Sequence, residues 1–316
     1  MAFSTAVLYA SLPSLSVPQF LASAIVHAAQ HTTTRLVIVL LSPFFDATHP
    51  DAAPTARWND VQQVLTFVYV QATKVSQDMD RLLMQVDVLL QAPLDPLPES
   101  LEAPDVVFRV EGDDSSLPAR LVSVLQERLP RDTSQPLMVE SAPTPAAPPR
   151  LPVIALGGTF DHLHAGHKIL LSMAAWIASS KLIVGVTDDA LLTRKAHAAV
   201  LEPLAQRTAA VRAFLTAFRP TLVYDIVPIN DVYGPTGWDP DIQGLVVSKE
   251  TADGAAAIAT HRAEHALPAL QTFTIDVISA TETNLSDADT ALLKQTKMSS
   301  TYIREWIVAK AKEGKP

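Results

Sequence analysis

Residues 156–168 read Leu-Gly-Gly-Thr-Phe-Asp-His-Leu-His-Ala-Gly-His-Lys, a run that gathers side chains suited to holding phosphate. Thr159 offers a hydroxyl, His164 and His167 offer imidazoles three residues apart, and Lys168 offers an amine. If a helix begins here, His164 and His167 share one face of its first turn. The unpaired N–H groups and the dipole of such a helix add positive potential at the same place. Donors converging on an anion point to chemistry at phosphorus. Asp161 beside His162, His164 and His167 also invites a zinc reading. A metal would neutralise the donors a phosphate site needs, and no distant ligand stands out, so no metal ligand is assigned.

The elements around this run are those needed to present it. An apolar stretch at 152–156 reads as a strand, Gly157 and Gly158 as a sharp turn, and 165–179 as a helix. Further strands read at 181–187, 221–227, 244–248 and 272–278, with helices at 203–218, 251–265 and 301–312. Strands alternating with helices predict an α/β fold, a doubly wound parallel sheet with right-handed crossovers. Ligands of such sheets sit at the carboxyl ends of the strands, where the 156–168 run falls. Upstream, strands at 5–10, 36–41, 85–90 and 106–110, with helices at 19–29 and 117–129, predict a smaller α/β domain over 1–140. It carries no glycine-rich phosphate loop and no paired catalytic residues. The proline-rich segment 141–150 reads as a linker. Residues 151–316 then form the domain that holds the chemistry.

Composition narrows the classes of partner. The 316 residues are 48% hydrophobic and 18% charged, enough for packed cores. A formal net charge of -9 disfavours nucleic acid and anionic membrane as partners. Residues 1–150 hold 9 Lys/Arg against 16 Asp/Glu, whereas residues 151–316 hold 15 against 17, so the anion-binding half is nearer neutrality. The chain contains no cysteine, which excludes disulfides and thiolate-ligated zinc. The first arginine is Arg35, so the N-terminus lacks the basic region of a secretory signal or transit peptide. The apolar run at 36–41 is too short to span a bilayer. A cytoplasmic, soluble protein is expected.

Two further stretches could complete a phosphate site. Thr193-Arg194-Lys195 follows the second strand of the larger domain, with Glu202-Pro203 and Arg207 downstream. A solvated basic patch is the plain alternative, but the position after a strand of the same sheet favours Lys195 as a phosphate contact. Residues 297–305 read Lys-Met-Ser-Ser-Thr-Tyr-Ile-Arg-Glu. Ser299 or Ser300 suits the N-cap of a last helix, and three hydroxyls with Arg304 one turn in could also hold outer phosphates of a nucleotide. The pairs His261/His265 and Asp287/Asp289 read as exposed residues.

Gly158-Thr159-Phe160-Asp161 followed by His164-Ala165-Gly166-His167 resembles the nucleotidyltransferases with the T/H-x-G-H signature. Among them the chain is most similar to the eukaryotic phosphopantetheine adenylyltransferases, of the fungal, single-activity type. The resemblance covers about residues 151–310. It includes Tyr233-Gly234-Pro235 with Asp239-Pro240, the run Val246-Val247-Ser248-Lys249-Glu250-Thr251, and Ser299-Ser300-Thr301 with Arg304. It implies a Rossmann-like domain that transfers AMP from ATP to 4′-phosphopantetheine, with Mg²⁺ accompanying ATP. By the same resemblance, Thr159 lies near the reacting phosphate of both substrates, while His164 and His167 lie on the ATP phosphates. Gly158 and Phe160 border the nucleotide. Lys195 contacts the transferring group and the acceptor phosphate. Ser299, Ser300, Thr301 and Arg304 hold the β- and γ-phosphates, and Asp231 and Tyr233 border the pantetheine arm.

There are departures. Bacterial relatives carry an arginine–glycine pair where this chain has Ser248-Lys249, and Lys249 is expected to restore the lost charge. No GxxxxGK[ST] loop of an accompanying kinase follows, so a single reaction step is expected. The alternatives are a related transferase acting on nicotinamide mononucleotide or an alcohol phosphate, a class I aminoacyl-tRNA synthetase, and an interaction protein with a relic site. Residues 1–150 could also dock other enzymes of coenzyme A synthesis.

Overall fold

A computed structural model of the chain describes residues 2–46, 54–99, 101–132, 150–275 and 299–314. The chain divides into two compact units, Met1–Pro149 and Arg150–Pro316. Of the expected linker at 141–150, all but Arg150 lies outside the described residues, as do Asp287 and Asp289.

In the first unit β1 (Phe3–Ser11), β2 (Thr32–Leu41), β3 (Gln85–Gln91), β4 (Val106–Val110) and β5 (Leu125–Leu129) form a parallel sheet in the order β3-β2-β1-β4-β5. Its central strands are continuous apolar runs because both faces are covered. Val7, Leu8, Val37 and Ile38 are all at most 2% exposed. The helices are α1 (Ala22–His31), α2 (Trp58–Asp78) and the single turn α3 (Ala119–Val122).

Two features differ from the sequence reading. The long helix α2 was not anticipated, although Val61, Val64, Leu65, Val68, Ala72 and Val75 follow helical spacing and are buried. The expected helix at 117–129 is instead α3 followed by β5, an edge strand paired with β4 from Val106↔Leu125 to Val110↔Leu129. Hydrogen bonding to β4 satisfies the backbone of this short, mostly exposed segment, and local periodicity does not report that.

The second unit repeats the plan. β6 (Leu151–Gly158), β7 (Ala178–Thr187), β8 (Val223–Ile229), β9 (Gly244–Ser248) and β10 (Gln271–Ile275) form a parallel sheet in the order β10-β9-β6-β7-β8. Counted from its own first strand, this is again 3-2-1-4-5. Its helices are α4 (Ala165–Ile177), α5 (Leu204–Phe218), α6 (Ala252–Glu264) and α7 (Ser300–Lys312). The expected strand at 272–278 is described only as far as Ile275. No helix among the described residues is long and apolar enough to cross a membrane.

Between β8 and β9 the backbone turns at Gly234, where φ is +47° and a Cβ would lie 2.7 Å from Ile229 Cγ2. Gly234→Ala should therefore destabilise the second unit by about 1–3 kcal/mol, read by thermal or urea denaturation. Unchanged stability would show that the loop accepts another shape.

Candidate active site

β6 ends at Gly158, and six residues later α4 begins, so the Thr159–His164 turn lies at the carboxyl edge of the sheet beside β7 and β9. Phe160 and His162 both have left-handed backbones, with φ of 52° and 44°. Such conformations persist only where surrounding contacts over-determine them. Here the contacts converge on Asp161, which is fully buried. Its carboxylate accepts from the Arg304 guanidinium, itself 2% exposed, and from the backbone N–H of Glu202 at 2.9 Å. The backbone N–H of His162 donates to Glu202 Oε2 at 2.8 Å, and His162 Nε2 meets the Val200 carbonyl at 2.8 Å. Ser300 Oγ donates to the Asp161 carbonyl at 2.8 Å, which seats the start of α7 on the turn.

Arg207 makes a second tie. Fully buried, it donates to the carbonyls of Thr159 (2.6 Å), Thr187 (2.9 Å) and Glu202 (2.9 Å), and to Asp189 Oδ1 (2.6 Å). One guanidinium thus joins the ends of β6 and β7 to the start of α5. The sequence shows Arg207 only as a basic residue downstream of Glu202-Pro203, and nothing local reports its burial.

His164 occupies the N-cap position of α4, and His167 is in its first turn. Their rings stack with centroids 3.9 Å apart and planes inclined by 26°, and Phe160 packs against His167 at 5.4 Å. A Cβ at Gly166 would come within 3.2 Å of the His164 ring, so the glycine leaves room for the stack. Burial, with help from the nearby Lys168 charge, lowers the His164 pKa to about 4. Burial and His164 hold that of His167 well below the ordinary imidazole value. Both rings are therefore neutral at physiological pH, each keeping one N–H. Nδ1 of each is buried without a hydrogen-bond partner. No side chain caps α4, which leaves its first-turn N–H groups to a ligand.

The remaining expected residues are placed as follows. Thr159 and Gly158 lie partly buried at the end of β6, while Phe160 is fully buried and reaches the site through His167. Lys168 is buried with Nζ 5.7 Å above the Phe214 ring. Lys195 is exposed in the turn after β7, and Arg304 Nε donates to the carbonyl of the adjacent Ala196 at 2.9 Å. Arg304 Nη2 also reaches Thr301 Oγ1 at 3.2 Å, so its guanidinium is committed to protein partners. Ser299 Oγ caps α7 by accepting from the Tyr302 N–H at 3.2 Å. Lys249 emerges exposed just after β9, where Ser248 and Thr251 form a capping box. Asp231 Oδ1 accepts from the N–H groups of Tyr233 (2.8 Å) and Gly234 (2.7 Å), and the Tyr233 ring stacks on His261 at 4.2 Å. Lys297 lies outside the described residues.

Asp161, His162 and Glu202 bring ligand atoms within 4.8 Å of one another. Their oxygens are already engaged by Arg304, by the two backbone N–H groups and by Gln206 Nε2 at 2.8 Å, and a guanidinium in contact with one carboxylate opposes a cation. The donor set of the turn and of α4 suits a polyanion instead.

Two outcomes test this electrostatic picture. Asp161→Ala leaves the Arg304 charge buried and unpaired, so the second unit should lose about 3–5 kcal/mol in chemical denaturation. His164 has a folded pKa below its unfolded value, so its stabilising effect is complete above about pH 6.5 and is lost as pH falls toward 4. His164→Asn should flatten that acid limb in denaturation curves taken across this range. An unchanged limb would mean the ring is not buried neutral.

A family model described as cytidylyltransferase-like matches residues 155–306. Over 164 residues the chain is 41% identical to an uncharacterized protein of Schizosaccharomyces pombe, covering 52% of this chain and 50% of that one. Over 130 residues it is 44% identical to a phosphopantetheine adenylyltransferase of Saccharomyces cerevisiae, covering 41% of this chain and 43% of that one. A phosphopantetheine adenylyltransferase of Methanopyrus kandleri is 36% identical over 135 residues, covering 43% of this chain and 83% of that one. The match thus spans about half the length of the two fungal relatives and most of the archaeal one.

Proposed function

The chain belongs to the phosphopantetheine adenylyltransferase family, and we propose that it transfers AMP from ATP to the 4′-phosphate of phosphopantetheine. The products are dephospho-coenzyme A and pyrophosphate. The observation that carries this reading is the stacked, neutral His164–His167 pair at the uncapped start of α4, within the part of the chain that the family model matches.

The acceptor phosphate is already a nucleophile at neutral pH, so the protein needs neither a general base nor a covalent intermediate. An acceptor oxygen attacks the α-phosphorus in line, and the bond to the bridging oxygen of pyrophosphate breaks. The residues orient the two substrates and stabilise charge on the pentavalent state. His167 and His164 donate N–H groups to phosphoryl oxygens from rings that bring no charge of their own. The first-turn N–H groups of α4 act beside them, Thr159 borders the reacting phosphate, and Lys195 supplies the mobile cation. Gly158, Phe160 and Lys249 complete the nucleotide side, with Ser299, Ser300, Thr301 and Arg304 as the element toward the β- and γ-phosphates. In that element Arg304 works by fixing α7 and the Lys195 turn on Asp161. Asp231 and Tyr233 shape the loop on the pantetheine side.

Mg²⁺ fits as a companion of the polyphosphate, largely hydrated, because the donors of the turn are N–H and hydroxyl groups. A cytoplasmic location is part of this proposal, supported by the cysteine-free sequence. Residues 1–149 lie outside this reading.

His167→Ala should lower turnover by about a hundred- to a thousandfold, measured as pyrophosphate release from ATP with 4′-phosphopantetheine. A nicotinamide mononucleotide acceptor should give none. Near-normal turnover in the variant would remove His167 from the mechanism, and turnover on the nicotinamide acceptor would reassign the substrate.

A further inference from the structure

The first unit has the strand order of the second, and the described residues leave a cavity at its carboxyl edge. A cavity of about 660 Å³ opens there, walled by residues that follow β1, β2, β3 and β4. In sheets of order 3-2-1-4-5 the crevice between the first and fourth strands is where the crossovers diverge, and ligands bind in it. Here that crevice lies between Ser11–Pro13 after β1 and Gly112–Ser116 after β4.

Its chemistry is opposite to that of the turn after β6. Gly112 is the sole glycine among residues 1–149, so no glycine loop brings backbone N–H groups to a phosphate. The residues after β1 are Leu12 and Pro13, where the second unit has Thr159 and Phe160. Asp113 and Asp114 stand on the β4 side, with Arg131 across the cavity and the Arg109 guanidinium beneath the loop, donating to the carbonyls of Asp113 (2.9 Å) and Ser115 (2.6 Å). Burial opposes the Asp113 charge, but hydrogen bonds from Ser115 and Ser11 outweigh it and hold the carboxyl below its usual pKa. Ser11 donates through its N–H (2.6 Å) and hydroxyl (3.1 Å), and Ser115 through its N–H (2.9 Å). The Asp113 carboxylate is thereby fixed and ionised at neutral pH, and it offers a phosphate no donor.

The other wall is flat and apolar. The Arg131 guanidinium lies 4.6 Å over the Phe20 ring, and prolines 13, 43 and 93 with Leu12, Leu41 and Leu94 complete it. Leu94 is 97% exposed, so its side chain forms a rim. The Asp114 carboxylate is exposed at the opening. The Ser115 hydroxyl is buried against the Asp113 carboxylate, behind the cavity wall.

We propose that this cavity is a second binding site, separate from the phosphate site, for a small uncharged molecule of the nucleoside class. A planar heterocycle lies against the Phe20–Arg131 shelf, and hydroxyl or amino donors reach the exposed Asp114 carboxylate. A 5′-phosphate is disfavoured by the Asp114 carboxylate at the opening.

The test uses the full chain and amide hydrogen exchange read by mass spectrometry, with adenosine, guanosine, cytidine and uridine as probes at millimolar concentration. At least one nucleoside should protect peptides covering 11–16 and 110–116. Its 5′-monophosphate should not protect them at the same concentration. Phe20→Ala and the surface change Arg131→Ala should each weaken the protection about tenfold, with the exchange of the sheet strands otherwise unchanged. Failure of all four nucleosides to protect these peptides would overturn the proposal. So would equal binding of the monophosphate there, or protection that survives both substitutions.

Discussion

The buried contact between Asp161 and Arg304 is the point on which the second unit's site depends. The two residues are 143 positions apart and nearly inaccessible to water. An unpaired charge at either position would be strongly disfavoured, so each residue needs the other as its partner. A buried ion pair adds little net stability compared with a well-packed apolar pair. It does define an arrangement, because both groups must find all their partners together. Asp161 takes Arg304 and the Glu202 N–H, and Arg304 takes Asp161, Thr301 and the Ala196 carbonyl. The turn after β6, the start of α7 and the segment carrying Lys195 are set by this one cluster.

Above it, the site controls charge by withholding it. The two histidines are buried neutral, Lys168 is tucked over Phe214, and Arg304 and Arg207 are committed to protein acceptors. What remains for the proposed polyanion is a set of fixed N–H dipoles and Lys195, exposed on its short loop. Fixed dipoles need no reorganisation when charge moves during a reaction, and mobile cations can follow it. Gly166 is small for the same end, since a side chain there would press on the His164 ring.

The two units show how one strand order can serve opposite chemistries. Both are parallel sheets of order 3-2-1-4-5 with their loops at the carboxyl edge. One edge carries paired glycines, two histidines and a helix start. The other carries prolines, an arginine on an aromatic ring and two carboxylates. Fold supplies the crevice, and the loops decide which ligands it tolerates.

The sequence by itself determined the strand–turn–helix order around residues 156–168, the α/β class of both halves, the parallel sheet of the second and the residue types of the histidine motif. These are local matters: apolar runs of strand length and residue types at helical spacing, although Gly157 and Gly158, expected as the turn itself, instead end β6 in register with Gly185 and Val186. It did not reveal the burial of Arg207, the partner of Asp161 or the strand nature of Leu125–Leu129, and helix α2 went unread despite a clear apolar period. Arginines and aspartates look alike in sequence whether solvated or buried. Only the packed chain shows which of them have lost water and must pair. Residues such as Arg304, which reads as a phosphate ligand by position, acquire their structural work from contacts more than a hundred residues away, and tertiary structure alone can create those.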